Sequence, residues 1–160
     1  MAGARPVSAP VELPPPARAV GTYEMAVRTG SLLFVSGHGA FDDGQPLHTG
    51  RLGESLTTEQ GAQAAEAVML GLLATVQHEL GDLDRVARVV KVVVFVSSTP
   101  SYAEQHLVVN GATDLLVRVL GERRGRPARS AIGVAALPLG FAVEIEAVVE
   151  IRAQAGSSRD

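Results

Sequence analysis

The chain of 160 residues contains no cysteine and no tryptophan, and aromatic residues make up only 4% of it. The absence of cysteine excludes disulfides, a thiolate nucleophile, and any zinc or iron–sulfur site that is built on cysteine. Hydrophobic residues still make up 46% of the chain, so the core must be aliphatic rather than aromatic. No apolar run approaches the roughly 20 residues that a membrane helix needs.

The charge is low and slightly negative, with a formal net charge of −3. A protein without an overall basic field is not expected to bind nucleic acid or an anionic membrane surface. The first 20 residues contain no long apolar segment of the kind found in secretory signals, so we expect a cytoplasmic protein. The four histidines (positions 38, 48, 78 and 106) do not have the spacing of metal ligands, and we predict neither a metal site nor a cofactor.

The chain divides into three parts. Residues 1–19 contain "LPPPAR" and read as a Pro-rich flexible tail, residues 20–152 as a single domain, and residues 153–160 as a second flexible tail.

The pattern of the domain predicts the order ββ–α–β–α–ββ. The first two strands form a hairpin that turns at Thr29-Gly30. The first helix follows Thr57, a predicted N-cap with Gln60 three residues later, and ends at Gly81. A valine-rich strand follows Arg85. A second helix is capped by Thr99, with a local break at Asn110-Gly111. The last unit is predicted as a hairpin of strands 129–136 and 142–151 around "LPLG".

This order predicts an α+β fold in which two helices pack on one face of a mixed sheet. The valine-rich strand is apolar at both alternating sets of positions, as is typical of a strand that is covered on both faces. Two helices cover one face only. We therefore expect the other face to be buried in a homo-oligomer.

The predicted final hairpin places two charged residues on one face. Joining residues 136 and 141 puts Gly133 opposite Glu144, and Arg129 opposite Val148. Arg129, Ala131, Gly133 and Glu144 would then share a face with room for a ligand, while Ile132 and Val134 would face the helices. Because Arg129 and Glu144 lie roughly 13 Å apart along this hairpin, one of them would have to come from a neighbouring subunit to act on one small molecule.

Three segments, "GTYEMAVRTGSLLFVSG", "VVNGATDLL" and "RPARSAIGVAALPLGFAVEIEAV", resemble the YjgF/Rid family of reactive-intermediate deaminases, also called endoribonuclease L-PSP. The resemblance covers residues 21–152 and is greatest to a long-loop, YjgF-like subgroup. It implies a chorismate-mutase-like fold and a homotrimer with clefts at the subunit boundaries. It also implies hydrolysis of enamines and imines made from amino acids, such as 2-aminoacrylate and its imine, to a 2-oxo acid and ammonia without a cofactor.

The same resemblance assigns roles to residues. Arg129 matches the arginine that binds the substrate carboxylate, and Glu144 matches the acid that handles water. Tyr23, Ser36, Gly37 and Asn110 match residues that line the cleft, to which we add His38 and Ala131 as candidate substrate contacts. An arginine offers a carboxylate a two-point, permanently charged contact, which suits the first of these roles.

Three positions depart from the family pattern. His38 replaces a glutamine that commonly follows Ser-Gly, Ala131 replaces a cysteine or threonine, and Gly133 replaces a glutamate or larger residue. The small residues favour, as an alternative, a pathway-specific enzyme that acts on a larger imine. A non-catalytic trimer that only binds carboxylates is a further alternative. Simple structural roles also remain open: Arg129 paired with an interfacial carboxylate, Ser36 completing a strand end, and His38 as a loop residue.

Overall fold

The computed structural model describes residues 11–152. The strands are β1 (Ala26–Thr29), β2 (Leu32–His38), β3 (Phe41–Asp42), β4 (Gln45–Pro46), β5 (Val86–Ser97), β6 (Ala128–Val134) and β7 (Val143–Ile151). The helices are α1 (Thr58–Leu80), α2 (Gln105–Leu120) and the four-residue α3 (Glu122–Gly125).

Five strands form the main sheet in the order β1–β2–β7–β5–β6, and the short strands β3 and β4 pair separately. All neighbours in the main sheet are antiparallel except β5 and β6, which are parallel and are connected through α2 and α3. A parallel pair needs such a crossover because its strands start at the same edge of the sheet. The predicted mixed α+β sheet with two main helices on one face is confirmed.

The first hairpin and α1 form where the sequence predicts them. Thr29 pairs with Leu32 across a turn in which Gly30 has a φ of 58°, a value that favours glycine. At the start of α1, the Thr57 side chain accepts a hydrogen bond from the Gln60 N–H, and the Gln60 side chain bonds the Thr57 N–H in return. This capping box satisfies two N–H groups that the first turn leaves unpaired.

The predicted start of the second helix is wrong. Thr99 and Pro100 lie in a turn, in which the Thr99 N–H bonds the Leu52 carbonyl, and α2 begins only at Gln105. The predicted break at Asn110-Gly111 is also wrong, because α2 is continuous through it. Gly111 serves close packing instead, since a Cβ there would overlap the Ala62 carbonyl oxygen of α1.

The predicted C-terminal hairpin is wrong as well. β6 does not pair with β7; β5 lies between them, parallel to β6 and antiparallel to β7. Because of this error, the side chains of β6 were predicted on the wrong faces of the sheet. Gly133 and Ala131 are in register with the buried Val96 and Val94 of β5 and so face the helices, while Ile132, in register with Phe95, lies on the opposite face.

The two faces of the sheet differ in burial. On the helix side, valines of β5 and residues of β7 are fully buried with the apolar faces of α1 and α2 (Val92, Val94, Val96, Val143, Ile145 and Val149). On the other side, which we call the open face, β5 places the half-buried Val93 and Phe95. Val27, Phe34 and Ile132 are exposed there by 54%, 46% and 39%. The open face therefore carries exposed apolar side chains that nothing in residues 11–152 of the same chain covers, beside the glutamates that β7 places on the same face.

The N-terminal segment is described from residue 11 onwards and has no regular secondary structure up to residue 19. Val11 and Leu13 are partly buried against the core, so this part of the predicted tail packs on the domain. The remainder of that predicted tail, residues 1–10, and the predicted tail at 153–160 lie outside the described residues.

Candidate functional site

Arg129 lies on β6, an edge strand, and its side chain extends over α2. Its Nη1 donates to Asn110 Oδ1 and to Thr113 Oγ1, both at 2.9 Å, and its Nη2 donates to the His106 carbonyl at 3.2 Å. The structure thus brings together two of the predicted site residues, Arg129 and Asn110. Helix α2 supplies all three acceptors from adjacent turns, because positions three or four apart share one face of a helix.

These three bonds engage one end of the guanidinium. They account for both protons of Nη1 and one proton of Nη2, out of the five protons that the group can donate. The remaining two, on Nε and Nη2, form the side edge of the planar group. That edge has the spacing to bind both oxygens of a carboxylate at once. None of the three acceptors carries a charge, so the positive charge is oriented without being neutralised.

Glu144 lies on β7, on the open face, and it touches the backbone of β2. A Cβ at Gly37 would overlap Glu144 Oε1, so only glycine lets the carboxyl group lie this close to the strand. Burial, and secondarily the negative charge of Glu146, raise the pKa of Glu144 above its ordinary value. A carboxyl group of this kind can exchange a proton with water nearer to neutral pH.

Ser36 and Tyr23 lie close to Gly37 in the chain but have local partners. Ser36 Oγ donates to the Glu24 carbonyl at 2.6 Å, and the Ser36 N–H donates to the Met25 carbonyl at 2.9 Å. Tyr23 is 47% exposed, and its hydroxyl accepts a long bond of 3.5 Å from the Val20 N–H. Within one chain, Ser36 therefore joins β2 to the segment before β1, while Tyr23 remains available to a ligand or a neighbour.

His38 is the last residue of β2 and is 2% exposed, so its interpretation as a loop residue is wrong. Its Nδ1 lies 2.7 Å from the Ser36 carbonyl oxygen, and its Nε2 lies 2.8 Å from Thr75 Oγ1 on α1. The ring faces the helices rather than Glu144. Its geometry supports a role through the backbone rather than direct contact with a substrate.

The small residues of β6 do not leave the space that the sequence predicts. Ala131 packs against the core beneath the helices. At Gly133, a Cβ would lie 2.8 Å from Gln105 Nε2 and 2.9 Å from Ser98 Oγ. The space beside Gly133 is therefore filled by side chains of this chain.

The candidate residues of one chain form two separate groups, which we call the arginine group (Arg129, Asn110, Thr113) and the glutamate group (Glu144, Gly37, Ser36). Arg129 is in register with Val92 of β5, and Glu144 with Phe95. The two residues are thus two strand spacings apart, roughly 10 Å, and three residues apart along the strands, roughly another 10 Å. They also project from opposite faces, which corrects the predicted shared face.

Sequence reasoning missed three contributors to these groups. Thr113 is three residues after Asn110, and this helical spacing was the signal that could have placed it beside Arg129. Thr75 and the His106 carbonyl left no such signal, because their roles depend on how the helices lie against the sheet.

No group of three or more acidic, histidine or cysteine side chains in residues 11–152 is arranged to hold a metal ion. Within the same residues, no helix is both long and apolar enough to cross a membrane.

Fold and site together define a class of protein: an α+β sheet, covered on one face by two helices, that carries at its edge an arginine oriented by three uncharged acceptors and, on its open face, a half-buried glutamate. Residues 15–151 match the family model described as Endoribonuclease L-PSP. The chain belongs to this family, and the resemblance noted in its sequence is confirmed.

Individual relatives agree over nearly the whole chain. Protein TCP17 of Trypanosoma cruzi is 49% identical over 141 residues, a match that covers 88% of each protein. Among solved structures, the protein Atu1372 of Agrobacterium tumefaciens superposes with a TM-score of 0.81 at 42% identity, covering 88% of this chain and 87% of that one. RidA from an Antarctic Psychrobacter superposes with a TM-score of 0.57 at 32% identity, covering 86% and 94%.

Proposed function

We propose that this protein is an imine and enamine deaminase, which hydrolyses reactive imines of the 2-aminoacrylate type to 2-oxo acids and ammonia. The observation that carries the proposal is the state of Arg129. Its guanidinium is held by three uncharged acceptors on α2, with its side edge directed to none of them. A preoriented cation of this geometry suits the carboxylate that every amino-acid-derived imine carries.

Glu144 is the group that handles water in this proposal. The oxygen of a water molecule bonds to the imine carbon, one proton of that water passes to the Glu144 carboxylate, and Glu144 returns this proton to the nitrogen. The hydroxyl proton then passes through Glu144 to the same nitrogen, so that the carbon–nitrogen bond breaks and ammonia leaves as the 2-oxo group forms. Only water is consumed, and the raised pKa of Glu144 suits a group that both accepts and returns a proton.

The proposed site requires two copies of the chain. Arg129 and Glu144 project from opposite faces of the sheet, so a small molecule reaches both only if one comes from a neighbouring subunit. The uncovered apolar side chains of the open face provide a surface for this association. A ring of three copies places each arginine group against the next subunit's glutamate group and repeats the site at every boundary.

Turnover is tested with imines made in place by an amino-acid oxidase, while semicarbazide competes for them. We expect the wild type to reduce semicarbazone formation, and Arg129→Ala to lose about 100-fold in kcat/KM, because a charged two-point contact is lost. The matched control is Arg28→Ala, which removes an exposed arginine from β1, at the opposite edge of the sheet.

Two results would contradict the proposal. If Arg129→Ala and Arg28→Ala lose kcat/KM equally, the loss does not depend on the position of Arg129 in this site. If no imine in the panel is consumed, while 2-oxo acids raise the melting temperature of the wild type but not of Arg129→Ala, the protein binds carboxylates without turnover.

A second candidate is hydrolysis of a larger imine. The small residues of β6 no longer support it, but a cavity of about 630 Å³ lies beside Arg129, with Thr113, Val117 and Pro127 among its walls. This volume suits a bulky side chain on the substrate. Imines from bulky amino acids should then be preferred over the alanine-derived imine, and Val117→Phe should reverse that preference.

A further inference from the structure

Strand β2 is irregular at the point where it meets Glu144. Val35 is paired with Ala147, and the next paired residue, His38, with Ile145. Three steps along β2 therefore correspond to two along β7, which is a β-bulge with one extra residue at Ser36-Gly37. The bulge puts Gly37 directly against the Glu144 carboxyl group.

The His38 side chain supports this bulge from inside the protein. Its ring is almost completely buried, and it connects the Ser36 carbonyl, 2.7 Å away, to the hydroxyl of Thr75, 2.8 Å away. Thr75 is itself 1% exposed and lies in α1. The bulge is thus tied through one imidazole to the longest helix of the fold.

The hydrogen bonds determine which ring nitrogen carries the proton. A carbonyl oxygen can only accept, so Nδ1 must donate to Ser36. Burial lowers the pKa of His38, although its bond to Ser36 opposes the shift, so the neutral ring is favoured. In that state Nε2 is an acceptor, and Thr75 donates to it at 2.8 Å in preference to the Gly71 carbonyl, which lies at the longer distance of 3.4 Å.

This arrangement sets the direction of one peptide group. The C=O and N–H of a trans peptide point in opposite directions. Because the Ser36 carbonyl is directed at the His38 ring in the interior, the Gly37 N–H is directed away from the ring. Glu144 lies on the open face, away from the ring, and its carboxyl oxygen comes close to Gly37 there.

We propose that His38 is a positioning residue for Glu144. By holding the Ser36–Gly37 peptide in one orientation, it fixes the surface against which the Glu144 carboxyl group lies. The kinetic part of this inference rests on the proposed function, in which Glu144 handles water. The positional part does not, because it concerns only the location of the carboxyl group.

Two substitutions of His38 separate the hydrogen bonds from the volume of the ring. His38→Phe fills the space but removes both bonds. His38→Gln restores a donor and an acceptor, since an amide carries one of each at its end. Thr75→Val removes the outer bond alone. We expect kcat to fall about 10–100-fold in His38→Phe with little change in KM, because small displacements of a catalytic group reduce turnover.

We expect His38→Gln to recover most of this kcat, and Thr75→Val to lose only a few-fold. The control is Leu73→Ala, which removes a buried side chain from α1 that takes no part in the two hydrogen bonds of His38. Its kcat should equal that of the wild type even though the fold is less stable. If the His38 ring served only to fill space, restoring its hydrogen bonds with His38→Gln would not restore kcat.

A readout that does not need turnover completes the test. Carbon-13 NMR of labelled glutamate measures the pKa of the Glu144 carboxyl group directly. In His38→Phe, and less in Thr75→Val, we expect this pKa to move down towards its ordinary value as the group moves into water. Unchanged Glu144 titration and unchanged kcat in folded variants would overturn the inference. A wild type that consumes no imine would instead overturn the proposed function, and the titration would still decide the role of His38.

Discussion

Glu144 and Glu146 lie on the same face of β7, and their interaction gives a test of the water-handling role. Glu146 contributes to the raised pKa of Glu144, so Glu146→Gln should lower that pKa. If Glu144 accepts a proton from water, kcat/KM falls at acidic pH as Glu144 becomes protonated. This acidic limb should move to lower pH in Glu146→Gln.

The control for that experiment is Glu150→Gln, which lies on the same strand and face but further from Glu144. Its pH profile of kcat/KM should match that of the wild type. If the acidic limb of kcat/KM lies at the same pH in the wild type, Glu146→Gln and Glu150→Gln, then a group other than Glu144 titrates there.

The raised pKa of Glu144 also affects the free energy of unfolding. A carboxyl group with a raised pKa in the fold binds protons more tightly there than in the unfolded chain, so it reduces stability as pH rises through the folded pKa. Glu144→Gln should therefore raise the melting temperature at pH 7, by roughly 1–2 °C because the group is partly exposed to water. This gain in melting temperature should disappear below the pKa of a glutamate in the unfolded chain, near pH 4. A gain that persists there would show that the raised pKa of Glu144 is not its cause.

At Arg129, the geometry of the side chain matters as well as its charge. Arg129→Lys keeps the charge but has neither the planar side edge nor enough donors for the acceptors on α2. We expect it to recover at most about a tenth of the kcat/KM lost in Arg129→Ala. Recovery to the wild-type value would show that the site requires only a positive charge.

At the scale of the elements, the close contact of α1 and α2 depends on Gly111. Gly111→Ala should destabilise the protein by roughly 1–3 kcal/mol, since the added methyl group overlaps the Ala62 carbonyl of the facing helix. Urea unfolding measures the change. Gly71→Ala in α1 is the matched control, because no atom lies within 4 Å of its added Cβ. It should be neutral or stabilising by up to about 1 kcal/mol, as usual for alanine in a helix.

Elements whose limits are set by neighbouring residues could be predicted from the sequence. The capping box at Thr57 fixed the start of α1, and Gly81 its end, because both act over a few residues. The final hairpin failed because strands that follow each other in the chain need not pair. The crossover through α2 placed β5 beside β6, and no pattern within residues 128–151 carries that information.

The candidate site was predictable to the same degree. The types and positions of Arg129, Asn110 and Glu144 follow from the family motifs. Their faces depended on strand pairing, and the predicted shared face was wrong. That the two charged residues act together from separate subunits stays a prediction. The burial of His38 was not predictable, since its partner Thr75 is 37 residues away in the chain.

At the scale of the whole molecule, the proposed two-subunit site predicts a distinctive behaviour of mixtures. Arg129→Ala and Glu144→Gln should each be inactive alone. If the two are unfolded together in equal amounts and refolded, about a quarter of the boundaries in random closed rings will combine an intact arginine group with an intact glutamate group. We therefore expect about a quarter of the wild-type activity to return.

The size of the assembly is measured on the same samples by light scattering, where a trimer of the 16.6 kDa chain has a mass of about 50 kDa. Mixing the two variants without unfolding serves as the control. No recovery of activity after refolding into trimers would place the complete site within one chain. A monomer with full activity would contradict the shared site altogether.

The position of β7 in the sheet has a consequence for how the protein is made. β7 is the last strand of the described residues, yet it lies in the middle of the sheet, between β2 and β5. On the ribosome, the N-terminal hairpin and the β5–α2–β6 unit therefore emerge without the strand that joins them. The sheet can close only after Ile151 has left the exit tunnel, so until then the nascent chain must remain open, with its valine-rich strand unpaired on one side.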